Sequence, residues 1–204
     1  KATEKLEFSM RFGVRGYSFE IIPGPKESFS LRREHRYYER GRTGWWFLGN
    51  SDDDQSLLVQ EAKGNSSDSQ YSKPVYDAIS SWQIYHFHDT SKNSGMRGLE
   101  IVQDNKFLRA DGSNIAPYLM RLRDKDPSFY AEIRNSIAMV MPYFDDFLFD
   151  VEEFGEKRKV GLSWKQKGSD YPMQPYHFSD GSIRFICLAT ALLQPEPPST
   201  IIID

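Results

Sequence analysis

The sequence has almost no cysteine, no long hydrophobic run and no strong charge of one sign, and each absence excludes a class of protein. Cys187 is the single cysteine, which excludes an internal disulfide and favours a reducing, cytoplasmic location. No apolar stretch approaches the roughly 20 residues that cross a bilayer as a helix. The net charge of −3 gives no overall basic field, so contact with nucleic acid would need a local patch.

A phosphate-binding P-loop is also missing. That loop follows the pattern G-x-x-x-x-G-K-[ST], and none of the 14 glycines is followed by lysine. The 204 residues do include 39% hydrophobic and 27% charged residues. This balance is typical of one folded domain, or part of a larger one, with enough chain to bury a core.

The first forty residues alternate between apolar and polar side chains, the period of strands with one buried face. The stretches "KLEFSMRF" and "YSFEII" carry the alternation and are separated by the turn "GVRG". We therefore expect residues 5–48 to form an antiparallel sheet with Phe8, Phe12, Phe19 and Ile21 buried on one face.

Composition divides the chain into four predicted segments. They are an antiparallel β lobe over 1–48, a polar mobile loop with a short helix over 49–80, a part of helices and strands over 81–175, and a closing helix and strand over 176–204. The loop includes the acidic run at 52–54, which we interpret as solvated. In the third segment, Asp126 followed by Pro127 is a typical helix start.

The closing segment combines a nearly uncharged helix with a run of isoleucines. Arg184 is the one charged residue between Ser182 and Leu193, so this helix is predicted to be buried on most sides. Prolines end it, and 200–203 are predicted to form a fully buried parallel strand. Asp204 then lies at the carboxyl end of that strand, where open α/β sheets bind their ligands.

The helix opens with Ser179-Asp180-Gly181, which has two interpretations. The free N–H groups and dipole of a helix N-terminus attract phosphate, and Gly181 would allow a ligand close to the backbone. Alternatively, Ser179 or Asp180 only caps the helix.

Taken in order, "FSDGSIRFICLATALLQPEPPSTIIID" resembles the signature helix and Walker B strand of ABC-type ATPases, especially the SMC, RecF and OLD-like branch. Nearly the whole chain is similar to a family of bacterial predicted AAA/ABC-type ATPases. The resemblance implies an α/β fold that is part of an ABC-ATPase-like P-loop NTPase head, with an antiparallel β lobe and a helical insertion.

The resemblance also implies a site that uses ATP and Mg²⁺. Two heads would sandwich the nucleotides, and the signature residues Ser179, Asp180, Gly181 and Ser182 would contact the γ-phosphate held by the partner head. Asp204 matches the Walker B aspartate, a catalytic residue that holds Mg²⁺ through water. Its strand should then be central and buried, and a solvent-facing edge strand would contradict the assignment.

Arg184 would support this site by pairing with a carboxylate in its own head. Because the P-loop and the glutamate after the Walker B aspartate are missing, we expect this sequence to be a fragment that is inactive alone.

The implied function is an ATP-hydrolysing head that dimerises, or forms a higher oligomer, around ATP. It would drive DNA repair, DNA surveillance or antiphage defence together with a nuclease or other effector. DNA is a candidate partner, and no membrane contact is expected. The alternative is a nucleotide-gated scaffold that hydrolyses little ATP. Glutamate after Asp204 would favour hydrolysis.

Two further clusters have competing interpretations. His86, His88 and Asp89 could bind Zn²⁺, since a strand places both histidines on one face, but we favour a strand end with satisfied histidines. The basic stretch "LRREHRYYERGR" could contact nucleic acid, although two glutamates dilute its charge. The arginines in question are Arg32, Arg33, Arg36, Arg40 and Arg42.

Overall fold

The structure is a computed structural model that describes residues 5–24, 28–39, 44–51 and 55–204. The chain divides between Ser81 and Trp82 into two compact units, here called the N-terminal and C-terminal units. No helix in the described ranges combines the length and apolar character needed to cross a membrane.

The N-terminal unit contains a four-stranded antiparallel sheet in the order β1-β2-β3-β4. Its strands are β1 (Leu6–Phe12), β2 (Arg15–Pro23), β3 (Phe29–Tyr38) and β4 (Gly44–Gly49). Gly13 has a φ of +60° in the turn between β1 and β2, a backbone conformation that glycine adopts without strain. The prediction of an antiparallel sheet in this region is confirmed.

The aromatic face of this sheet is less buried than expected. Phe12, Phe19 and Ile21 are only half-buried, and Phe8 is 40% exposed while stacking on Phe19. The prediction that all four are buried is therefore wrong. The reason is incomplete cover, because two helices of this unit pack against β2, β3 and β4, whereas β1 lies at the edge of the sheet.

Those helices occupy much of the segment that was predicted to be a polar loop with a short helix. They are α1 (Leu57–Lys63) and α2 (Ser69–Ser80). Their apolar residues Leu58 and Val75 join Tyr17 in a small buried cluster. The predicted short helix is therefore present within α2, α1 is helical where a loop was expected, and the acidic run at 52–54 lies outside the described residues.

A buried carboxylate connects α1 to the sheet. Glu34 on β3 is fully buried and accepts hydrogen bonds from the backbone N–H of Leu57 at 2.9 Å and from the Ser56 hydroxyl at 2.7 Å. The Tyr17 hydroxyl donates to the same carboxylate. A long-range acceptor thus satisfies N–H groups at the start of α1, which helps a short polar helix to form.

The C-terminal unit combines three helices with three small sheets. The helices are α3 (Ile115–Lys125), α4 (Pro127–Val140) and α5 (Asp180–Leu193). The strands are β5 (Gln83–Tyr85), β6 (Glu100–Ile101), β7 (Phe144–Leu148), β8 (Val151–Phe154), β9 (Lys157–Val160), β10 (Ser163–Gln166), β11 (Pro172–Met173) and β12 (Ile201–Ile203). Two sheets are antiparallel, in the orders β11-β10-β7 and β6-β9-β8, while β5 and β12 form a parallel pair.

Helix α5 lies in the main core, as its composition predicted. Ile183, Ile186 and Cys187 are fully buried, and α4 packs alongside. The Cys187 thiol contacts the Met96 sulfur at 3.2 Å, and burial raises the pKa of this thiol. Cys187 is therefore a packed core residue.

Candidate functional site

Two strand ends meet at one edge of the C-terminal unit. Strands β5 and β12 run parallel with Ile203 opposite Tyr85, so His86 and Asp204 are the next residues of their strands. The Asp204 N–H donates to the Tyr85 carbonyl at 3.1 Å and extends the ladder by one bond. The predicted parallel strand before Asp204 is confirmed.

The burial of β12 differs from the prediction. Ile201 is half-buried, but Ile202 and Ile203 are 41% and 53% exposed. Among the residues that the structure describes, β12 pairs with β5 only, so it is an edge strand with one side uncovered. The expectation of a fully buried central strand is wrong, and this counts against the Walker B assignment of Asp204. That assignment now depends on strand direction and residue order.

The N-terminus of α5 is exposed, as predicted for a signature segment. Ser179, Asp180 and Gly181 are exposed, and Ser182 is half-buried. The Ser179 hydroxyl accepts a hydrogen bond from the Ser182 N–H at 3.1 Å, so Ser179 is the N-cap. A side chain added at Gly181 would meet only the Ser179 hydroxyl, at 4.0 Å. The glycine thus keeps the backbone approachable from solvent.

Arg97, which the sequence analysis did not single out, organises the segment before α5. Its side chain is 6% exposed and donates to the carbonyls of Pro175 at 2.7 Å and Phe178 at 3.0 Å. It also pairs with the Asp180 carboxylate at 3.0 Å. The sequence signal for Arg97 was its place in a short turn between Gly95 and Gly98.

An open cleft adjoins this arginine and the start of α5. Its volume is about 490 Å³, and its lining combines two aromatic rings with hydroxyls and charges. The lining residues are Thr90, Ser91, Lys92, Arg97, Tyr176, Phe178, Ser179 and Asp180. We call it the α5 cleft. Ser179 and Asp180, at the start of α5, form part of its wall.

Arg184 has a different role from the expected one. Its guanidinium donates to the carbonyls of Phe87 at 2.9 Å and His88 at 3.2 Å, rather than pairing with a carboxylate in the described part of the chain. Arg184 binds carbonyls because the backbone after β5 passes beside α5 and presents two acceptors there. Arg184 therefore fixes the segment that carries both histidines of the "YHFHD" motif.

The histidine cluster forms around a different carboxylate from the one the sequence indicated. His86 and His88 lie near Asp204, with potential ligand atoms within 4.8 Å of one another, and all three residues are exposed. Asp89 instead accepts a hydrogen bond from the Ser91 N–H at 3.1 Å, and its bonds to Ser91 lower its pKa. Sequence proximity favoured Asp89, whereas strand pairing brings in Asp204.

One family model matches residues 14–204, and its description is "AAA domain, putative AbiEii toxin, Type IV TA system". The chain belongs to this AAA family. No curated protein and no solved structure matches it. AAA domains are generally nucleotide-binding ATPases that use ATP and Mg²⁺, so the chain is an ATPase-type domain. Its mixed α/β structure agrees with that class.

Two described arginines in the basic stretch of this AAA domain are paired with carboxylates. Arg36 is buried and pairs with Glu61 at 2.6 Å and with Asp68 at 3.3 Å. Arg33 pairs with Glu20 at 3.4 Å. The suggestion that Arg36 contacts nucleic acid is therefore wrong, because its charge is used to hold α1 and α2 on the sheet.

The other arginines of that stretch add no support. Arg32 is half-buried, and Arg40 and Arg42 lie outside the described residues. Nucleic-acid contact through these three positions stays a prediction from the sequence.

Proposed function

We propose that this AAA domain is part of an ATP-hydrolysing head of the SMC, RecF and OLD-like type, which dimerises around nucleotide. The observation that carries the proposal is the order of two features. An exposed Ser-Asp-Gly segment opens the buried helix α5, and Asp204 directly follows the parallel strand β12. Each feature is common alone, but their order within an AAA family member supports a signature helix followed by a Walker B strand.

Asp204 has the chemistry to hold Mg²⁺. Its carboxylate is 72% exposed and lies at the carboxyl end of a parallel strand. Mg²⁺ prefers oxygen ligands and keeps several waters, so one exposed carboxylate can hold it through water. When bound, the ion supplies charge neutralisation on the phosphates.

The segment from Ser179 to Ser182 would contact the γ-phosphate of the nucleotide that a second copy of the head binds. Phosphoryl transfer depends mainly on positioning and charge stabilisation, which backbone N–H groups at a helix N-terminus provide. Arg97 neutralises Asp180 at 3.0 Å, which lessens the repulsion between that carboxylate and an approaching phosphate. Gly181 leaves space for the approach.

Within this proposal the domain couples its nucleotide state to an effector such as a nuclease. The processes that fit are DNA repair, DNA surveillance and antiphage defence in the cytoplasm. The family description, which refers to a toxin–antitoxin system, gives loose support to defence.

The experiment uses the full-length protein and compares ATP hydrolysis of wild type with Ser179→Arg. We expect loss of hydrolysis and of ATP-dependent dimerisation, with ATP binding retained, because a bulky cation would block the partner's nucleotide. Ser128→Arg is the matched control, since Ser128 is an exposed serine near the start of another helix, α4. Wild-type hydrolysis by Ser179→Arg would contradict the proposal.

Mixing two inactive variants tests whether the segment acts on the partner head. Ser179→Arg combined with a P-loop lysine variant creates one composite site with both elements intact. Recovery of part of the ATPase activity is expected. ATP-dependent dimerisation without hydrolysis in the wild type would instead identify the nucleotide-gated scaffold.

A further inference from the structure

We propose that His86, His88 and Asp204 form a binding site for a divalent transition-metal ion. His86 and Asp204 directly follow two paired strands, His88 lies in the turn after β5, and the potential ligand atoms of all three lie within 4.8 Å of one another. His86 Nδ1 is 3.1 Å from an oxygen of Asp204. All three residues are exposed, so an ion can enter from solvent.

Backbone pairing brings the three residues together. Tyr85 and Phe87 are 2% and 1% exposed and stack on each other, whereas His86 and His88 are exposed at the end of β5 and in the turn after it. Asp204 reaches the same edge because β12 is parallel to β5 with Ile203 beside Tyr85.

Hydrogen bonds from other parts of the C-terminal unit hold the backbone around both histidines in place. The His86 N–H donates to the Ala110 carbonyl at 2.8 Å, and Arg184 on α5 binds the carbonyls of Phe87 and His88. Metal ligands that are positioned before binding lose little freedom when the ion arrives. Tetrahedral ligands about 2.1 Å from an ion lie about 3.4 Å apart, so ligand atoms within 4.8 Å of one another need to approach by at most about 1.4 Å.

The ligand set indicates the class of metal. Mg²⁺ and Ca²⁺ prefer oxygen ligands, whereas imidazole suits Zn²⁺, Co²⁺, Ni²⁺, Fe²⁺ and related ions. Two imidazoles and one carboxylate are three protein ligands, which leaves further positions open to water or to a ligand oxygen. The site would therefore accept a transition metal in the absence of nucleotide.

This site shares Asp204 with the proposed ATPase centre, and it deepens that proposal by naming the metal class available there. Metal binding is nevertheless measured without nucleotide, so the two proposals fail separately. Loss of ATPase activity in Asp204→Asn, with unchanged metal affinity in the histidine variants, would contradict the metal site only. Conversely, normal ATP hydrolysis by Ser179→Arg would contradict the ATPase proposal, and the metal titration would still test the metal site.

The test is a titration of the metal-free, full-length protein with Co²⁺, followed by its visible absorption and by calorimetry, with Zn²⁺ and Mg²⁺ in parallel. We expect one Co²⁺ ion per chain at this site, displaced by Zn²⁺ and not by equimolar Mg²⁺. His86→Gln, His88→Gln and Asp204→Asn should each weaken Co²⁺ binding by about 10- to 100-fold or more.

His177→Gln is the matched control, because His177 is also exposed and lies outside the cluster. Circular dichroism of each variant verifies that it is folded. Absence of Co²⁺ binding in the wild type, or equal Co²⁺ binding in wild type and a His86→Gln/His88→Gln double variant, would overturn the proposal.

Discussion

The guanidinium of Arg97 donates to the carboxylate of Asp180 at 3.0 Å, and this contact joins the turn at 95–97 to the first residue of α5. Arg97 is buried, whereas Asp180 is 75% exposed. The two ends of the pair should therefore differ in their energetic importance.

Arg97→Met should lower the free energy of unfolding by about 2–3 kcal/mol, because it leaves partly buried carbonyls without their donor. The carbonyls of Thr90, Pro175 and Phe178 all accept from this side chain. Asp180→Asn, the paired control, should cost at most about 1 kcal/mol because the carboxylate is exposed. Urea denaturation measures both, and equal losses would contradict this account.

Gly181→Ala should separate stability from function. The position is helical and open to solvent, so alanine should raise the free energy of unfolding by about 0.5–1 kcal/mol. If the segment contacts the nucleotide of a partner head, the added methyl group should reduce ATP hydrolysis at the same time. Thermal denaturation and ATPase assays of the full-length protein provide the two readouts. Higher stability with unchanged hydrolysis would show that the segment only starts a helix.

Tyr118 should make the C-terminal unit sensitive to alkali. Burial raises the pKa of Tyr118 to about 12, and its hydroxyl donates to Gln194 at 3.0 Å. Because the folded-state pKa lies above the unfolded value, the associated stability is complete below about pH 10 and is lost as the pH rises to about 12.

The measurement compares how much unfolding free energy wild type and variants lose between pH 9.5 and pH 11.5. Tyr118→Phe should lose about 1–2 kcal/mol less than wild type over this interval. Tyr176→Phe is the control, since Tyr176 is 64% exposed. An identical loss in wild type and Tyr118→Phe would show that another group causes the alkaline transition.

The exposed edge of β12 should tolerate the loss of an isoleucine side chain better than the core does. Ile203 is 53% exposed and Ile183 is fully buried. Ile203→Ser should change the free energy of unfolding by less than about 1 kcal/mol, whereas Ile183→Ala should cost about 2–5 kcal/mol. Denaturation of the chain described here measures both. A large loss for Ile203→Ser would mean that the face of β12 is covered.

Local patterns were sufficient for much of the fold. The alternation in "KLEFSMRF", the apolar helix after Ser179 and the Asp126-Pro127 start of α4 each depend on neighbouring residues, and the structure has these elements where the sequence predicted them. The parallel direction of β12 was also predicted correctly.

Long-range contacts account for the errors. Helix α1 depends on Glu34, a carboxylate 23 positions before Leu57, so its polar segment was interpreted as a loop. In the same way, Asp204 joins His86 from 118 positions away, and Arg97 reaches Asp180 across 83. No local periodicity reports such pairings.

The burial of Cys187 gives this chain an internal reporter of its own motions. A thiol that is fully enclosed and held in its protonated form does not react with an alkylating reagent until the surrounding helices separate. The rate of labelling therefore counts openings of the core around α5. Labelling rates of Cys187 measured with and without nucleotide or metal would show whether either ligand makes the core around α5 open less often.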